Sequence, residues 1–167
     1  PAAQNPTAAR MGPGRQADIL AIARKYDLQI IEDECYSVTS GDLPTLRAMA
    51  PERVWYTGSF SKSVSAALRF GYVVCPAGMG ENARLAAQHN FFALSLPLSE
   101  LVLRLLQSGA ADDIRVKVQG EFDARLQMAV RQLGAFDLTW QTGIPFAWLR
   151  LPQGWRAYTF TRIAEEQ

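Results

Sequence analysis

Three short runs rich in β-branched and aromatic residues constrain this chain most: "LQIIEDECYS" at 28–37, "RVWYTGSF" at 53–60 and "RFGYVVCP" at 69–76. Each is bounded by Gly, Pro or charge, and each has strand length rather than helix length. The text around them has a different period. "RQADILAIARKYDL" places Ile19, Leu20, Ile22 and Ala23 at helical spacing after a turn-rich opening. From Met79 to Gly109 the pattern is helical again, with Pro97 opening a second helix and Gly109 ending it. Alternation of this kind predicts an α/β layer, with "LQIIEDECYS" a buried strand that carries polar groups at its carboxyl end.

Residues 111–134 read as one long amphipathic helix, capped by Asp112 or Asp113 and stopped by Gly134. Beyond it "FDLTW", "GIPFAWLRLP" and "WRAYTFTRIAEEQ" read as strand, strand and helix, a small α+β unit. The domain boundary is therefore expected near 112, with 1–112 in one layer and 113–167 holding the long helix and a partial second domain. The chain opens on Pro1 and stops in uncapped helical text, so a fragment of a longer polypeptide is expected.

Composition excludes several functions. Net charge is +1, from 17 basic and 16 acidic residues spread along the chain, which gives no electrostatic footprint for nucleic acid or an anionic membrane. Cys35 and Cys75 have no metal-ligand spacing and His89 is the single histidine, so no metal site is expected. No leader or bilayer-length apolar run is present, so the expected setting is a reduced cytoplasm. Cys35 reads as a small buried hydrophobe, His89 as a helix residue, Glu32 and Glu34 as solvated, and Trp140, Trp148 and Trp155 as packing.

The chemistry gathers at the expected strand ends. In "GSFSKSVSAALRFGY" (58–72) Lys62 lies between serines, and Arg69 follows with no acidic residue in the run. An arginine with nearby hydroxyls suits a phosphate, by bidentate donors plus single ones. A lysine beside a phosphate site can form a Schiff base with a carbonyl carbon. Asp33, at the end of the first strand, could hold a proton on a ring nitrogen. Lysine imine, ring-nitrogen carboxylate and phosphate arginine together are what pyridoxal phosphate asks of a protein.

"NPT" at 5–7, "IIEDECY" at 30–36 and the lysine segment at 58–72 resemble, in order and spacing, the class I/II aminotransferases of the fold-type I pyridoxal phosphate family. One such motif is weak, whereas three in register are specific. The resemblance covers nearly the whole chain. It implies the C-terminal half of the large domain, then a partial small domain, and a homodimer acting on amino acids and 2-oxo acids. It implies that Lys62 is the catalytic residue, linked to the cofactor and moving the substrate proton. Asp33 would meet the pyridine nitrogen, Tyr36 and Asn5 the phenolic oxygen, and Ser59, Ser61 and Arg69 the phosphate.

Two departures stand out: Ala8 replaces the family's usual Gly after "NPT", and Ala66-Ala67 replace its common Pro-Gly pair. In the family, a ring-stacking aromatic residue comes from before the "NPT" loop and the substrate-carboxylate arginine from a strand beyond where this chain ends. This chain alone is therefore expected to hold the cofactor weakly and not to turn over. The same segments are similar to the aminotransferase-like sensing domain of GntR-family regulators of the MocR type. That alternative implies DNA binding only through an upstream winged helix.

Overall fold

A computed structural model describes residues 3–36, 43–90 and 94–166. Pro1, Ser37 at the end of the first strand run, Phe91 and Phe92 in the helical run, and Gln167 lie outside those residues.

Helix α1 (Pro13–Lys25) starts after Gly12 with proline at its first position and carries Arg24 and Lys25 in its last turn, both favourable placements. It buries Gln16, Leu20 and Ala23, one stripe of the helix, while Ile22 is exposed. Strand β1 (Ile30–Asp33) and the single turn α2 (Leu46–Met49) follow, then β2 (Val54–Ser59). Leu20, Leu46, Ala50 and Val54 form one core cluster with Ile30 against it. Burying a residue such as Leu20 contributes roughly 1.5–3 kcal/mol.

After β2 the chain makes the short helix α3 (Phe60–Ser63) and a 3-10 turn at Ala66–Leu68, then returns as β3 (Gly71–Val74). The sheet order is β1-β2-β3. β1 and β2 are parallel, with Asp33 opposite Thr57. β2 and β3 are antiparallel, with Ser59 opposite Gly71. That return brings the residues after the turn back beside the end of β2, and the Phe60 N–H donates to the Phe70 carbonyl at 3.0 Å.

Helices α4 (Gly80–Asn90), α5 (Leu96–Gln107) and α6 (Ala110–Leu133) come next. Phe60, Val102 and Ala111 form a second cluster, joined by Val64, Leu68 and Phe70. The lysine segment is thus braced by α5 and α6. Strands β4 (Leu138–Trp140) and β5 (Ala147–Leu149) pair antiparallel, and α7 (Ala157–Glu165) ends the described chain.

The structure corrects several expectations. α6 begins at Ala110 after Gly109 in the left-handed region (φ 78°), so Asp112 and Asp113 sit in its first turn rather than capping it. There their charges complement the helix N-terminus. β1 is not a fully buried strand: Glu32 is its one buried residue and Ile31 is 75% exposed. All of β3 is exposed as well. In β1 the alternation decides exposure, with Ile30 and Glu32 on the face toward Leu46 and Ile31 and Asp33 on the other. Trp148 and Trp155 are exposed rather than core residues.

Candidate active site

The end of β1 places Asp33, and Tyr36 follows three residues later. The Cys35 main-chain N–H donates to Asp33 Oδ1 at 3.0 Å. This bond, followed by one from the Cys35 thiol, holds the Asp33 carboxyl below the usual carboxylate range, as donors to the charged form must. Asp33 is therefore ionised at neutral pH. The hydroxyl of Thr57, its register partner on β2, donates to the Glu32 carbonyl at 3.4 Å beside it.

Its neighbours are not solvated as expected. Glu32 is 3% exposed and Glu34 is 6% exposed. Glu32 accepts the main-chain N–H of Leu46 at 2.8 Å and of Arg47 at 2.9 Å, tying the end of β1 to the first turn of α2. Both oxygens of the buried side chain are thereby satisfied. The Glu34 N–H donates to the Thr57 carbonyl at 2.9 Å, which continues the parallel ladder past Asp33.

Lys62 lies in α3 and is exposed. Its Nζ sits 5.6 Å from the centre of the Tyr36 ring, a cation–π contact between two pieces that are far apart in sequence. Among the described residues neither Lys62 nor Arg69 has a carboxylate partner. Tyr36 in turn meets Phe146 edge-on, with ring centres 5.4 Å apart and planes at 89°. Phe146 packs on Ala3, Ala8 and Ile144, and the Gln141 amide donates to the Ala8 carbonyl. One line of packing thus joins the Asn5 loop, the small unit, Tyr36 and Lys62. Asn5 itself is exposed.

Ser59 is half-buried, and its hydroxyl accepts the Ser61 N–H at 3.1 Å as the cap of α3. Its own proton points to the Phe70 carbonyl at 3.4 Å, a long bond that a stronger acceptor can displace. Arg69 is exposed, directly precedes Phe70, and has φ 48°. Ala66-Ala67 form a 3-10 turn capped by Ser65, whose hydroxyl accepts the Ala67 N–H. Ala8 has φ 57° and is fully buried, which accounts for a preference for Gly at this position.

Cys35 is half-buried rather than buried, and it is a polar partner of Asp33 rather than a small hydrophobe. Thr57 and Phe146 also escaped the sequence reading. Thr57 is identified by strand register alone, and Phe146 reaches Tyr36 across 110 positions, so neither leaves a local signal. Behind α3, a cleft of about 200 Å3 is lined by Glu34, Tyr56, Ser63, Tyr72 and Arg115. There burial, then Tyr72 and Glu34, push the Tyr56 phenol well above the usual tyrosine range. No helix among the described residues is long and apolar enough to cross a membrane.

A mixed α/β unit with a lysine turn, a held carboxylate and a second small unit defines the fold-type I aminotransferase architecture. The pattern of aminotransferase class I and II matches residues 2–145, and the chain belongs to that family. An archaeal alanine:glyoxylate aminotransferase superposes with a TM-score of 0.78 at 26% identity, over 98% of this chain and 42% of that one. LysN, an alpha-aminoadipate aminotransferase from Thermus thermophilus, complexed with N-(5'-phosphopyridoxyl)-L-leucine, gives 0.75 at 26% identity, over 98% and 45%. The uncharacterized HTH-type transcriptional regulator YdeF of Bacillus subtilis is 30% identical over 162 residues, 96% of this chain and 35% of YdeF. The chain thus spans 35–45% of the length of these three proteins.

Proposed function

We propose that this chain supplies the lysine-bearing half of a pyridoxal-phosphate site that serves transamination between amino acids and 2-oxo acids. The observation that carries this reading is Lys62 Nζ at 5.6 Å over the Tyr36 ring, with the ionised Asp33 three residues before that tyrosine.

The residues present fit the cofactor by donor chemistry. Lys62 offers an amine without a carboxylate partner among the described residues, and Asp33 offers a charge suited to a protonated ring nitrogen. Arg69, Ser61 and, by exchanging its Phe70 bond, Ser59 offer donors for a phosphate. Tyr36 and Asn5 offer donors for a phenolic oxygen. When bound, the cofactor supplies an electron sink for a carbanion at the substrate α-carbon. Lys62 is the covalent anchor and the base that takes and returns the α-proton. The Tyr36 ring sets the face along which the Lys62 amine can move.

The division of the chain near 112, the homodimer and the cytoplasmic setting belong to the same proposal. The experiment is the half-reaction of the intact protein. With pyridoxal phosphate bound and an amino-acid panel added, stoichiometric 2-oxo acid is expected, and Lys62→Ala abolishes it. A protein that binds the cofactor at Lys62 and releases no 2-oxo acid with any amino acid supports the second reading, a ligand-sensing domain of a GntR/MocR-type regulator. The match to YdeF over 96% of the chain favours that alternative. Specific DNA binding by the intact protein that responds to an amino acid would then be its positive sign.

A further inference from the structure

The turn after β1 brings two donors of one residue to a single carboxylate. The Cys35 N–H lies 3.0 Å from Asp33 Oδ1, and the Cys35 thiol bonds the same side chain. Thr57, directly opposite Asp33 in the parallel register, directs its one hydroxyl proton to the Glu32 carbonyl at 3.4 Å, so the hold on Asp33 comes from Cys35. A carboxylate tied twice to its own turn has few rotamers left.

We propose that Cys35 is a positioning residue that grips the Asp33 carboxylate from the turn, presenting it in one orientation to the ring nitrogen of the cofactor. This rests on the cofactor reading above. A thiol is a weak donor to neutral acceptors and a useful one to a carboxylate, where the bond is charge-assisted. The grip also acts on the sulfur. Burial, then the bond to Asp33 and its charge, push the Cys35 thiol up. The sulfur stays protonated near neutrality, so little thiolate is present to compete with Lys62 for a carbonyl carbon.

The first test needs no cofactor. The intact apo protein is alkylated with iodoacetamide across a pH series, and modification is read by peptide mapping at Cys35. Asp33→Asn is expected to move the Cys35 profile to lower pH and speed its alkylation at neutral pH. An unchanged profile in Asp33→Asn overturns the grip.

The second test separates a positioning role from packing. Cys35→Ala is expected to weaken pyridoxal phosphate binding about three- to tenfold, the worth of one ordinary hydrogen bond. Cys35→Ser, which keeps a donor, restores it. Equal binding by the two variants overturns the proposal. A responsive thiol with no cofactor trapped on Lys62 sinks the cofactor reading and the role built on it, whereas trapped cofactor with an unresponsive thiol sinks the grip alone.

Discussion

Glu32→Gln perturbs the frame under the site while leaving every proposed cofactor contact in place. Glu32 is 3% exposed and gives one oxygen to the Leu46 N–H at 2.8 Å and the other to the Arg47 N–H at 2.9 Å. Glutamine keeps one acceptor and turns an amide donor toward the second N–H. At least one bond to a charged group is lost, worth about 1.5–3 kcal/mol, and one donor is left facing another. Each 1.4 kcal/mol is about a factor of ten in an equilibrium. Opening of this turn should therefore become about 10- to 100-fold easier. Hydrogen exchange of the intact protein, read on a peptide containing Leu46 and Arg47, measures that local opening directly. Faster exchange there, with α6 amides unchanged, is the expected result. Equal protection in both proteins would refute the argument that Glu32 holds the turn.

Other outcomes follow from the same geometry. Arg69 has φ 48°, so Arg69→Gly should be more stable to urea than Arg69→Ala by about 1 kcal/mol, while both need more cofactor for saturation; equal stability would contradict the backbone argument. A Cβ at Gly58 would run into the Tyr72 ring, which lies across this glycine, so Gly58→Ala should cost roughly 1–3 kcal/mol in a melting comparison. Adding Tyr72→Ala to Gly58→Ala should remove most of that penalty. Asp33 has a folded value below its unfolded one, so its share of stability is complete above about pH 3.9 and is lost as pH falls through the lower folded value. Acid unfolding of Asp33→Asn should be correspondingly less steep; an identical acid limb would contradict the depressed carboxyl.

The strands, the helices and the chemical residues were legible because their signals are local. Val54 to Ser59 alternates with turn formers, Pro97 and Gly109 punctuate helices, and Lys62 sits among small residues. Cap assignment at Asp112 failed because Gly109 supplies a left-handed turn three residues earlier. Burial was misread where partners are non-local. Glu32 looks solvated beside Asp33 and Glu34, and only the approach of α2 shows that its carboxylate is the anchor of a buried turn. Cys35 looked apolar for the same reason: its partner is reached by the turn, and Thr57 arrives from another strand. Phe146 against Tyr36 depends on how the small unit folds back, which no short window contains.

The central claim is that Lys62 is a covalent cofactor lysine. Borohydride reduction of the intact protein after incubation with pyridoxal phosphate, followed by peptide mapping, tests it most directly. The account predicts a reduced phosphopyridoxyl label on Lys62 that is absent from Lys62→Ala. Label confined to Lys25 or Lys117, or no label in this chain at all, would contradict it.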